Sequence, residues 1–215
     1  MTHTLHRFGK RENDIPWLIT PRVGVNTDNL IEKLEKVIKI IDDSGIKMWG
    51  FGASKNTLMT SREKLIKELK EAAEKTPKVA RLRGVCTSKE QLKQFLKSLK
   101  EADLGFSVTI SWLIKDAIEV CKELGIKPHS INISLGVWGK KELLADSKIL
   151  EVTTMCGHGM ISPRFVNYVV SEIEKGRMSP RAGAVLLAKQ CPCGIFNVEK
   201  AESLLRELIT SGSRI

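Results

Sequence analysis

The chain has 215 residues, 42% of them hydrophobic and 5% aromatic, and its 35 Lys and Arg against 25 Asp and Glu give a formal net charge of +10. That suffices for one large domain, or a domain with an appendage, around a sizeable core. No run reaches the roughly 20 apolar residues of a bilayer crossing, and the opening MTHTLHRFGKREND lacks a secretory signal's apolar stretch, so the expectation is a cytoplasmic globular protein with no membrane partner.

In chain order, His3 and His6 alternate on a possible first strand, and IPWLITP (15–21) is a strand that leads to a helix capped by Thr27 or Asp28. Leu30, Ile31, Leu34, Val37, Ile38 and Ile41 recur at helical spacing, and Gly45 suits the left-handed position that ends such a helix. Strand 46–52 then precedes a helix over 61–75, strand 78–86 a helix over 88–101, and strand 104–111 a helix over 112–124. Residues 130–139, SINISLGVWG, and 147–155, SKILEVTTM, read as two further strands around the short helical pattern KKELLAD. Such alternation predicts an α/β body over 1–155 with about six strands in a mostly parallel sheet. A ferredoxin-like sheet, which also interleaves strands and helices, is the lesser alternative.

Beyond Met155 only helical patterns follow, two opened by Ser-Pro (162–163 and 179–180) and one by Asn197, so 156–215 is expected to be a helical appendage. The helices interleave Lys with Glu, as on solvated faces. With one tyrosine there is also little material for base stacking. Both features argue against nucleic acid as the partner, although net charge alone invites it.

The chemistry lies in the cysteines. There are five, an odd number at irregular spacing, which fits reduced thiols better than a disulfide framework. Cys121 sits among apolar helix positions as a core residue, and Cys86 ends a strand. Cys156, Cys191 and Cys193 instead fall in the glycine-flanked turns MCGHGM and QCPCGI, each just before a helix whose N-terminus favours negative charge. Three cysteines with no evident fourth suggest a [4Fe-4S] cluster with one iron left open, hence lyase or desulfuration chemistry with His158 as acid or base. Adding His158 as a ligand gives instead a closed Cys3His zinc site of structural type. Without metal, Cys191 and Cys193 form a potential redox dithiol.

A parallel sheet would hold its ligand beyond the carboxyl ends of its strands. The turns expected there carry Gly50, Gly52, Ser54 and Lys55, then Cys86 to Lys89, then Gly136 to Lys141. Small and cationic residues suit a small anionic substrate, with Ser54 and Lys55 as candidate catalytic groups. The same residue types serve any strand-to-helix turn.

Overall fold

The computed structural model describes residues 7–52 and 55–211, so His3, His6 and Ser54 lie outside the described residues. Among the described residues five strands form one sheet: β1 (Ile15–Thr20), β2 (Trp49–Phe51), β3 (Lys55–Asn56), β4 (Leu82–Cys86) and β5 (Ser107–Ile110), in the order β3-β2-β4-β1-β5. Every pairing is antiparallel; Trp17 faces Gly84 on one side and Ile110 on the other, and Gly84 in turn faces Trp49. Eight α-helices among the described residues accompany the sheet: α1 (Leu30–Asp43), α2 (Arg62–Lys75), α3 (Lys89–Ala102), α4 (Ile114–Glu123), α5 (Ser147–Thr153), α6 (Pro163–Glu174), α7 (Pro180–Ala188) and α8 (Val198–Ser211).

The expected mostly parallel sheet of about six strands is overturned. β1-α1-β2 and β4-α3-β5 are each a helix crossover between strands that run the same way, but each crossover skips one strand's width. The gap of one unit is filled by a strand of the other, so neighbours are antiparallel. This split arrangement is that of a ferredoxin-like sheet, lengthened by β3 and α2. Two expected strands are absent from the ladders. Residues 147–155 contain helix α5, capped by Asp146, whose carboxylate accepts the Lys148 N–H at 2.9 Å, and Ile149 and Val152 are buried one turn apart. Residues 130–139 belong to no helix or ladder, and the whole run 127–144 is exposed.

Ser162, Ser179 and Asn197 cap their helices as expected, and Ser61 and Ser88, read only as helix starts, prove to be caps as well. Ser61, Ser88, Ser162 and Ser179 each accept a backbone N–H three residues on, as does Asn197 from Lys200. Gly45 takes φ +66. α1 differs: its cap is Asn29 in the left-handed region, with no side-chain bond, rather than Thr27 or Asp28.

The two faces of the sheet have different neighbours. Ile15, Trp17, Ile19, Trp49, Phe51 and Leu82 point to the face covered by α1, α2 and α3 and are fully or almost fully buried. The opposite face carries Leu18, Thr20, Arg83 and Thr109. A second core runs from Ile149 to Leu208 through α5 to α8, centred on Val166, Val169, Leu187, Phe196 and Leu205. Arg83 links it to the sheet, its Nε–H donating to the Cys193 carbonyl at 2.9 Å.

Candidate metal centre

α5 ends at Thr153, and the chain then turns through Cys156 to α6, with the Gly159 N–H donating to the Cys156 carbonyl at 3.0 Å. The second turn, 189–197, leaves α7 and enters α8; Gly194 takes φ +67 there. A Cβ on Gly194 would collide with the Asn56 side chain, so this turn also lies against β3. α6, α7 and α8 pack on one another, and α5 packs on α6 and α8, which brings the two turns together.

The result is a chain of side-chain contacts. His158 Nδ1 is 3.5 Å from Cys193 Sγ, Cys193 Sγ is 3.6 Å from Cys191 Sγ, and Cys191 bonds in turn with Cys156. All three cysteines are buried, while His158 is exposed and forms the solvent side of the group. Backbone N–H groups are directed at each sulfur: those of His158 and Met160 at Cys156, of Cys193 at Cys191, and of Ile195 at Cys193. Such donors favour thiolate over thiol.

The three thiols differ in acidity because they share their protons. Cys193 is brought down to about 7, first by the hydrogen bond from Cys191 and then by the Arg83 guanidinium, against the opposing effect of burial. Cys156 is pushed far up, first by its bond to Cys191 and then by burial. Cys191 is raised as well: the bond from Cys156 favours its thiolate, but Cys193 and burial outweigh it. One negative charge is therefore accommodated near neutrality and three are not, unless a cation joins them. Among the described residues no group of three or more His, Cys, Asp or Glu side chains is arranged to hold a metal ion. The four groups are linked in a row and do not surround a common point.

Of the remaining sequence candidates, Cys86 and Cys121 separate from this site, whereas Lys55 borders it. Cys86 is in the sheet core, its thiol pushed up to about 12 by burial, and Cys121 is buried on α4. Lys55 enters β3, next to the Asn56 that packs on Gly194. The crevice that recommended Ser54 and Lys55 requires parallel strands sharing one carboxyl end, and an antiparallel sheet has no such end. A cleft lined by Lys47, Thr87, Gln91, Asn197 and Glu199 lies beside the start of α8, with none of the cysteines in its lining.

Two residues at the site were not foreseen from sequence. Arg83 acts on Cys193 by charge and by its bond to the carbonyl. Arg7 forms a buried ion pair with Asp14 and donates from Nη2 to the carbonyls of Met155 and Ile195, each at 2.8 Å, so it holds both cysteine turns. Arg83 had a signal, a cation inside an apolar strand; Arg7 had none. No helix among the described residues is long and apolar enough to cross a membrane. No family model, no curated protein and no solved structure matches the chain.

Proposed function

We propose that Cys156, Cys191, Cys193 and His158 bind one divalent metal ion, zinc in the first instance, as a closed Cys3His centre that ties the α5–α6 turn to the α7–α8 turn within the helical core. The observation carrying this reading is the spacing of the contacts. A tetrahedral ion with Zn–S bonds of about 2.3 Å and a Zn–N bond of about 2.0 Å sets its sulfurs roughly 3.8 Å apart and sulfur to nitrogen roughly 3.6 Å. Cys191 to Cys193 is 3.6 Å and Cys193 to His158 is 3.5 Å. Thiolates on different irons of a cubane cluster stand farther apart, because their bonds point outward from separate corners. The spacing thus favours one ion over [4Fe-4S].

Binding requires the row of four to close around the ion, with Cys156 and His158 moving towards each other. Each coordinating thiol gives up its proton, and the ion then compensates three thiolates that burial alone would not tolerate. Cys193 is the natural first ligand, since it ionises near neutrality. The five free thiols support a reducing, cytoplasmic setting.

A second reading rests on the exposure of His158, the one ligand that faces solvent. If His158 leaves, the ion or cluster gains an open position through which a small anionic substrate can enter, and enzymatic chemistry follows. Metal and acid-labile sulfide analysis of anaerobically purified protein, with the His158→Ala and Cys86→Ser variants alongside, separates the two. The closed site predicts one zinc per chain, no sulfide, loss of metal affinity in His158→Ala by 10-fold or more, and full retention in Cys86→Ser. Four irons with sulfide, retained in His158→Ala, establish the open cluster instead. A chain with neither metal after anaerobic isolation and zinc titration sinks both.

A further inference from the structure

We infer that residues 130–135 are an exchanged strand that pairs with the free edge of β5 in a second copy of this chain, giving a reciprocal dimer. Between α4 and α5 every residue over 127–144 is exposed, yet the sequence there carries an apolar row at strand spacing. Ile131 is 54% exposed, Ile133 66% and Leu135 84%, and Trp138 follows at 80%. Apolar surface held this far out of a core marks a contact. The alternating residues Asn132 and Ser134 are polar.

The receiving edge has the same alternation. Among the described residues β5 pairs with β1 on one side only and ends the sheet. Val108 and Ile110 lie on the helix-covered face and pack against the core, whereas Ser107 and Thr109 point to the other face. A strand added beside β5 with Ile131, Ile133 and Leu135 towards the helices therefore continues both faces in kind, apolar with apolar and polar with polar.

Exposed apolar residues also flank both ends of this edge. Leu113 and Ile114 lie just beyond Ile110. Val23 and Val25 lie in the loop that Asn26 fastens to the start of β5, its amide donating to the Gly105 carbonyl at 3.0 Å. An unpaired edge of this kind is a template for another strand. Among the described residues both the strand and the edge are unmatched, so a second copy supplies what each lacks, and the exchange closes with twofold symmetry. Two such strands with their flanking residues bury on the order of 1,200 Å², the lower bound of stable specific interfaces.

The test is light-scattering mass of the full chain at about 5–50 μM, with hydrogen exchange over 130–135. The expected result is twice the protomer mass, slow exchange in the segment, and reversion to protomer mass in Ile133→Lys/Leu135→Lys with unchanged far-ultraviolet circular dichroism. Both substitutions are on exposed positions, so folding of the protomer is not at stake. A protomer mass for the unsubstituted chain overturns the inference, whether the segment is protected on its own β5 or not. So does a dimer that survives the double substitution.

Discussion

At Cys193 the acidity of one thiol is set by three neighbours. The hydrogen bond from Cys191 and the Arg83 guanidinium lower it, burial opposes them, and the balance falls at about 7 against an ordinary value of 9.0. In the metal-free protein the folded state thus binds fewer protons at this group than the unfolded chain does between those values. Its stabilising contribution is fully present above about pH 9 and is lost as pH falls through about 7. Denaturant midpoints of metal-free protein from pH 6 to 8.5 should therefore rise with pH, and Cys193→Ser should flatten that slope. Thiolate absorbance in the ultraviolet should titrate near pH 7, and Arg83→Gln should move the midpoint up towards 9.0. A midpoint unchanged by Arg83→Gln would contradict the role assigned to that charge.

Among the elements, β4 shows how packing reverses an intrinsic preference. Glycine within a strand ordinarily weakens it. At Gly84 a Cβ would meet the Trp17 ring and the Met48 carbonyl within 3 Å, so the missing side chain makes room for Trp17, which is fully buried against Phe95 at 4.8 Å between ring centroids. Gly84→Ala should cost about 1–3 kcal/mol of stability in urea denaturation; a stabilised variant would show that the strand has slack. The same elements show what the sequence disclosed. Helices and their Ser-Pro openings were legible because period and cap are local, as the N–H bonds to Ser162 and Ser179 show. Strand pairing was not, because the partner of β1 is 60 residues or more away and nothing local names it. One hint was present in the polar members Thr20, Arg83 and Thr109, which suit a sheet with one lightly covered face better than one buried on both. Helix α5 was misread because Ile149, Val152, Thr153 and Thr154 are all β-branched, and tertiary packing of Ile149 and Val152 overrode that preference. At the site, the glycine-flanked cysteine turns were visible as a pattern, whereas their meeting depends on how α5 to α8 pack and is not written in either turn.

For the whole molecule, the ion pair of Arg7 and Asp14 is the connection of longest reach. Asp14 adjoins β1, while Arg7 also donates to Met155 and Ile195, so one guanidinium joins the sheet to both cysteine turns. Both side chains are almost wholly buried, at 1% and 0% exposure. Asp14→Asn leaves a buried cation without its counter-charge and should cost about 3–5 kcal/mol in thermal or chemical denaturation, and Arg7→Met/Asp14→Leu, which also leaves the Met155 and Ile195 carbonyls without their donor, should cost no less. If the double substitution costs clearly less than the single, the bonds from Arg7 to the two turns are not what joins the two cores. A different consequence follows from the sheet order, in which the first described strand is an inner one. During synthesis IPWLIT leaves the ribosome long before its neighbours, and β4 and β5 supply them only once residues 82–86 and 107–110 have been made. Until then Trp17 and Ile19 have no sheet to join, so the sheet can close only once about half of the chain has been made.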